Sequence, residues 1–261
     1  PSLSSNIFSI TAGAKRVAIE QALILAAGRG VRMGHRGHSI PKGFIEVGGQ
    51  TLVARSLALL AGSGVRDVTI VTGHLADFYE KLPPLAGVAV TTLHNPQFAE
   101  KGSFESLRVG LAAMRGTFLL LESDIIYEPR ALATVLASDQ ESVILTSGPT
   151  GAGDEVYVWA DEAGGAHRFR GMSKQRASHA DDPFGELVGI SKISAELARQ
   201  LTVHAGEALP GADYESAVVR AAGENSIACL RVDDLLWGEI DDEAMLARVE
   251  HRLWPQLKVI G

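Results

Sequence analysis

The sequence predicts an α/β fold: a mostly parallel sheet flanked by helices, with an elaborated second half. Three observations carry this. Apolar runs that read as buried strands alternate with helical periodicity as far as Thr150. The rhythm changes after that point. The first apolar run ends in a turn crowded with glycine and arginine, and in sheets of this kind ligands bind beyond the carboxyl ends of the strands.

The elements follow in order. The buried strands are "QALILAA", "DVTIVTG", "VAVTTLH", "TFLLLES" and "SVILTS". Helical patterns lie between them at Thr51–Ser63, Leu75–Leu82, Phe104–Met114 and Pro129–Ser138. Such alternation implies a Rossmann-like arrangement with helices on both faces of the sheet. Past Thr150, "DEVYVWADEAGGAHRFRGMSK" reads as two strands joined by a Gly-Gly turn. "GELVGISKIS" is a further strand, followed by a helix over Ala195–Ala205. A helix over Tyr214–Ala222 and the strand "SIACLRV" come next, and the last helix runs from about Asp242 to Leu253. No repeat and no linker-like stretch interrupts the chain. Residues 21–261 therefore read as one domain behind an N-terminal extension at residues 1–20.

Composition narrows the function. With 261 residues, 46% hydrophobic and 21% charged, the chain is long enough for one large core. No apolar run reaches the roughly 18–20 residues that span a bilayer, and the first residues do not read as a secretory signal. A single cysteine, Cys229, excludes an internal disulfide and fits a reducing, cytoplasmic setting. The formal net charge is −7, and no Lys/Arg block appears, which argues against nucleic-acid binding. A small anionic substrate remains compatible, because local positive charge can sit inside an acidic protein.

The turn "LILAAGRGVRM" admits three phosphate-loop readings. The dinucleotide fingerprint accepts Gly28 and Gly30 but meets Met33 where its third glycine belongs. The P-loop pattern ends in Gly-Lys-Ser/Thr, a triplet this chain lacks. The third reading combines "LAAGRGVRM" with "PKGFIEVGGQTLVARSL" downstream. This two-part pattern resembles the signature of the sugar-phosphate-type nucleotidyltransferases, with both halves in order and at the right distance. The resemblance implies the nucleotidyltransferase fold, with a nucleotide-binding half over about 21–150 and an acceptor-binding half over about 151–261. It makes Leu25, Ala26, Ala27, Gly28, Arg29 and Gly30 nucleotide-binding, with the backbone amides of Ala27 to Gly30 and local positive potential cradling the triphosphate. Arg29 and Arg32 clamp phosphates, and Lys42 is a point charge near the α-phosphate. His35 and His38, in the same loop, receive no role.

The resemblance also assigns the acidic positions. "FLLLESD" puts Glu122, Ser123 and Asp124 at a buried strand end, where the family has an aspartate that binds Mg²⁺; Asp124 matches it. "WGEIDDEA" is similar to the family's closing element, which makes Asp241 the second Mg²⁺ ligand and Glu239 its substitute. Asp241 or Asp242 also suits a helix N-cap. Lys174, in "MSK", matches a lysine that steadies the acceptor phosphate. A hard cation held by two carboxylates and phosphate oxygens is the usual Mg²⁺ arrangement.

Over nearly the whole chain the likeness is to small cytidylyltransferases that activate phosphocholine or 2-aminoethylphosphonate. It implies CTP and a small phosphonate or phosphomonoester as substrates. Ser103 and Ser106 in "GSFESL" contact the nucleotide, and Gly73 neighbours the base. Asp154, Glu155, Tyr157, Tyr214 and Trp237 are candidates for the acceptor site, with Glu122 and Ser123. A quaternary ammonium favours an aromatic cage, and a primary ammonium favours carboxylates. Acid outnumbers aromatic here, which places 2-aminoethylphosphonate ahead of phosphocholine and of a polyol phosphate. Two other classes stand beside this one: a non-catalytic nucleotide-binding module, and a dinucleotide-dependent oxidoreductase, which Met33 disfavours.

Overall fold

The computed structural model describes residues 18–205, 211–223 and 226–260. The expected N-terminal extension lies outside the described residues except for its last three positions. β1 (Gln21–Ala26) is buried at every position but the first, as a strand covered on both faces should be. The loop after it holds a short helix, α1 (His35–Ser39). A tight hairpin, β2 (Glu46–Val47) and β3 (Gln50–Thr51), follows. α2 (Leu52–Gly62) is capped by Thr51, whose hydroxyl accepts from the Ala54 N–H at 3.3 Å. β4 (Asp67–Thr72), α3 (Asp77–Glu80) and β5 (Ala89–His94) come next. They are followed by α4 (Ser103–Leu111), β6 (Phe118–Glu122), β7 (Ile125–Tyr127), α5 (Arg130–Ala137) and β8 (Val143–Ser147).

The second half opens with β9 (Tyr157–Ala163) and β10 (Ala166–Ser173). Gly164 and Gly165 join them with φ of 60° and 75°, the doubly left-handed backbone that a two-residue hairpin turn requires. β11 (Gly185–Ile193), α6 (Ala195–Ala205), α7 (Tyr214–Ala221), β12 (Ala228–Val232), β13 (Trp237–Glu239) and α8 (Glu243–Arg248) complete it, with α9 (Trp254–Ile260) last.

Among the described residues, nine strands form one sheet in the order β5-β4-β1-β6-β11-β8-β12-β10-β9. The pairs β5/β4, β4/β1, β1/β6 and β8/β12 are parallel, whereas β10 and β11 run against their neighbours. The mostly parallel sheet read from the sequence is therefore present, with the two reversed strands in the second half. β9 also pairs with the opening of β11, so the five strands β8 to β12 close on themselves. α2 and α5 cover one face, against Ala22, Ile24 and Ala26 of β1. α4, α6 and α7 cover the other, against Leu23 and Leu25. A third apolar cluster joins Met33, Ile45 and Val47 to Ile126, Ile240 and Leu246, fastening the first loop to the C-terminal region.

Two elements differ from the sequence reading. The helix expected over Leu75–Leu82 shortens to α3: Leu75 takes a left-handed φ of 53°, and Pro83-Pro84 forbids extension. The last helix does not stop at Leu253. Pro255 lacks the N–H that an α-turn needs, and the chain widens into a π-helical stretch over Val249–Leu253 before α9 continues.

Candidate active site

The glycine-arginine turn is held by close backbone approaches. Gly30 sits at φ 58°, and its carbonyl accepts from the Met33 N–H at 2.9 Å. Met33, at the position that denies the dinucleotide fingerprint, is 2% exposed and anchors the turn in the third cluster. A Cβ on Gly37 would lie 2.2 Å from the Gly30 oxygen, so α1 can lie against the turn only with glycine there. His74 Nε2 donates to the Gly37 carbonyl at 2.8 Å, fastening the turn to the end of β4. Gly28 is exposed, with no atom within 4 Å of an added Cβ.

A register argument explains how two distant aspartates meet. β13 pairs antiparallel with β7, Glu239 opposite Ile125, and the Ile240 N–H donates to the Asp124 carbonyl at 2.9 Å. Ile240 is fully buried, which draws the chain inward and delivers Asp241 beside Asp124. Lys42 lies between them, with Nζ 2.7 Å from Asp124 Oδ2 and also bonded to Asp241 Oδ1. Asp242, next in sequence, caps α8 by accepting from the Met245 N–H at 2.8 Å.

The remaining cations converge nearby. Arg32 bonds both Asp241 and Asp154, and Lys174 Nζ lies 3.3 Å from the same Asp154 carboxylate. Tyr214 donates its hydroxyl to Glu122, and its N–H donates to Ser103 Oγ at 2.9 Å. Ser106 Oγ accepts from Asn95 at 3.1 Å. Glu122, Asp124 and Glu239 each present a carboxylate oxygen within 4.8 Å of the others.

This crowding shifts the titrations. Burial, then the charges of Asp124, Glu122 and Asp241, pushes the Glu239 carboxyl well above its ordinary range, so Glu239 keeps its proton and donates it toward Asp241. Burial, then Asp124 and Glu215, raises Glu122. Burial lifts Glu215 to about 7. For Asp241, burial pushes upward but Lys42 outweighs it, and the carboxylate sits below its usual value. Lys42 is the mirror case: burial works against its charge, and Asp124 and Asp241 prevail, holding it charged. Oxygen donors in such surplus, two of them raised by burial and then by neighbouring carboxylates, are a donor set of the kind a hard divalent cation takes.

A cleft of about 290 Å³ gathers most of the residues singled out from the sequence. Leu25, Ala26, Ala27 and Gly28 line it with Arg32, Lys42, Ser103 and Ser106. Glu122, Ser123, Asp124, Lys174, Tyr214 and Asp241 line it as well. Asp154, Glu155 and Trp237 line a smaller adjoining chamber. Arg29 is exposed and lines neither space. Gly30 and Tyr157 also lie outside both; Gly30 packs under Lys42, and Tyr157 reaches toward Glu155 at 3.5 Å. Gly73 lies behind the turn, where a Cβ would meet Phe98 and the Ala27 oxygen. Sequence reasoning missed Phe98, Lys101, Asp213 and Glu215 in the lining. The stretch "ADYESA" was the available signal for the last two, since it sets two acids around a tyrosine at a helix start.

Known proteins resemble this chain in sequence and in fold. The CMP-5'-(3-aminopropyl)phosphonate synthase of Streptomyces rubellomurinus is 28% identical over 246 residues, which are 90% of this chain. This chain spans only 39% of that protein's length. The 2-aminoethylphosphonate cytidylyltransferase of Lancefieldella rimae is 26% identical over 246 residues, 88% of this chain and 92% of that protein. Among solved structures, the inositol-1-phosphate CTP transferase from T. maritima superposes with a TM-score of 0.78 at 19% identity, covering 94% of this chain and 98% of that one. The CTP:phosphocholine cytidylyltransferase from Streptococcus pneumoniae gives a TM-score of 0.69 at 17% identity, covering 89% and 98%. The structural likenesses establish the nucleotidyltransferase fold. A family model for the MobA-like NTP transferase domain matches residues 22–178, more than half of the chain, and the chain belongs to that family.

Proposed function

We propose that this chain is a cytidylyltransferase that moves CMP from CTP to a small phosphonate, 2-aminoethylphosphonate above others, and releases pyrophosphate. One observation carries the reading: a single cleft joins the start of the glycine turn, four cations (Arg32, Lys42, Lys101 and Lys174) and the paired Asp124 and Asp241. The names of the curated relatives supply the base and the acceptor class.

In this reading the backbone from Leu25 to Gly30 receives the triphosphate, and Arg32 and Lys42 meet the charge that builds on its oxygens. Lys174 steadies the acceptor's phosphorus anion. An acceptor oxygen attacks the α-phosphorus in line, the new P–O bond forms as the bond to pyrophosphate breaks, and pyrophosphate leaves. The nucleophile is already anionic near neutral pH, because the second pKa of a phosphomonoester is about 6. No side chain needs to act as base, and the work of the protein is positioning and charge stabilisation. Asp124 and Asp241 would hold Mg²⁺, with Glu239 and Glu122 beside them. When bound, Mg²⁺ neutralises phosphate charge and orients the phosphate oxygens. Residues 21–261 would work as one unit, nucleotide half and acceptor half, a reading supported by the sheet that runs through both. Among the described residues, no helix is long and apolar enough to cross a membrane.

The test is pyrophosphate release with CTP, UTP, ATP or GTP and Mg²⁺ against 2-aminoethylphosphonate, 3-aminopropylphosphonate, phosphocholine and inositol 1-phosphate. Turnover led by CTP with an aminoalkylphosphonate supports the reading. Release led by phosphocholine or inositol phosphate reassigns the acceptor. No release with any pair leaves a binding module.

A further inference from the structure

The chamber beside the cleft has a volume of about 50 Å³ and shares a wall of Glu122, Lys174, Glu215 and Glu239 with it. Its other side mixes apolar Val156, Leu187 and Met245 and the indole of Trp237 with three acids, Asp154, Glu155 and Glu186, and one cation, Arg248. Two buried polar atoms on this lining, Glu215 Oε2 and Trp237 Nε1, have no hydrogen-bond partner among the described residues. Trp237 is only 9% exposed, and buried polar groups are rarely left unpaired in a folded chain. One is a carboxylate oxygen and the other a neutral N–H donor. Their joint complement is a molecule that brings both a donor, such as an ammonium, and an acceptor oxygen.

We propose that this chamber receives the tail of the acceptor and that Glu215 selects a primary ammonium at its end. The inference rests on the proposed transfer to a phosphorus anion held at Lys174, and it names a residue for the acceptor's other pole. Glu215 is well placed for this. It is the second residue of α7, whose start is fixed by the Tyr214 N–H on Ser103 and by the Tyr214 hydroxyl on Glu122. Size agrees with charge. At roughly 10–15 Å³ for each water-sized atom, the chamber admits about four non-hydrogen atoms. An aminoethyl tail has three and an aminopropyl tail four, whereas the choline tail has six. A primary ammonium brings three N–H donors to Glu215 and its carboxylate neighbours. A trimethylammonium brings none, and the chamber offers it one indole, not a cage.

The experiment compares the wild-type chain with Glu215→Gln, which keeps the shape and removes the charge. Each is assayed with 2-aminoethylphosphonate and with n-propylphosphonate, in which a methyl replaces the ammonium. The wild type should favour the amine by about 10–100-fold in kcat/KM. Glu215→Gln should lose that preference through a raised KM for the amine, with KM for CTP and turnover of n-propylphosphonate nearly unchanged. An unaltered preference in the variant, or an equal fall for both acceptors, overturns the assignment. If the wild type turns over neither acceptor, the transfer reading falls, and calorimetric binding of the same two compounds decides the role of Glu215. Tighter binding of the amine that vanishes in the variant sustains that role, and equal affinities end it.

Discussion

Replacing Lys42 with methionine isolates the ammonium, because the stem that packs on Gly30 keeps its length. The change leaves two carboxylates facing each other. Asp241 is 1% exposed and Asp124 14%, while the lysine side chain is 18% exposed. Breaking a buried ion pair by removing one partner costs about 3–5 kcal/mol. The lower figure applies here, since Arg32 still bonds Asp241 and a carboxyl can take up a proton. Against a total stability of about 5–15 kcal/mol, the variant stays folded but visibly weakened. The sign with pH follows from the titrations. In the native chain Asp241 sits below its usual value, so its contribution is present at neutral pH and fades only as acid passes that lowered value. Without Lys42, burial meets only Arg32 and the Glu239 hydrogen bond, and the expectation is that it outweighs them and raises Asp241 above its unfolded value. Its contribution then holds in mild acid and is lost as pH rises. Urea unfolding of both proteins at pH 5 and pH 8 should show a deficit of about 3 kcal/mol at pH 8 that shrinks at pH 5. A deficit below about 1 kcal/mol, or one equal at both pH values, refutes the ion-pair account. Under the proposed function, turnover at pH 8 also falls by about 10²–10³-fold, the effect of losing one preorganised donor.

Three further outcomes are expected. Under the proposed function, Asp124→Asn keeps its far-UV circular dichroism while turnover drops at least about 100-fold, because the site would lose a charged oxygen ligand for Mg²⁺; near-normal turnover contradicts that role. Gly37→Ala drives a methyl to 2.2 Å from the Gly30 carbonyl, so unfolding in urea should show a loss of about 1–3 kcal/mol, and CTP titration should show weaker binding. Asp242→Ala removes the cap of α8 and costs about 1 kcal/mol, read as a fall in Tm of about 2–4 °C with kcat little altered.

Four of the five first-half strand runs were legible because strands covered on both faces must be apolar at nearly every position; the run "VAVTTLH", read as buried, forms instead the edge strand β5, which needs cover on fewer sides and has no fully buried residue. The turn was legible because glycine and arginine together are uncommon at a strand end. Other features depend on contacts that no local pattern records. Arg29 and Arg32 look alike in sequence. The buried Met33 fixes the turn so that Arg32, and not Arg29, reaches the cleft. The meeting of Asp124 with Asp241 hangs on a three-residue ribbon whose register aligns Glu239 with Ile125, and strands that short carry little periodicity. Glu215 stayed hidden behind Tyr214 because a glutamate in the first turn of a helix is common for its own dipole reasons. What sets it apart is a buried oxygen without a partner among the described residues.

The same geometry resolves the tension between a net charge of −7 and a triphosphate substrate. Arg32, Lys42 and Lys174 each rest on an internal carboxylate: Asp241 and Asp154, Asp124 and Asp241, and Asp154 again. Three cations packed into one cleft without anions would repel one another and resist burial. Paired, they stay charged and hold fixed positions. In the proposed reaction, substrate phosphates would exchange with carboxylates on these cations, and Asp124 and Asp241 would then be free to hold Mg²⁺. Each charge that enters would meet one of opposite sign already in place, so positional precision there depends on the acids as much as on the bases. A sequence scan for basic patches passes over such a site, because its positive charge is cancelled locally.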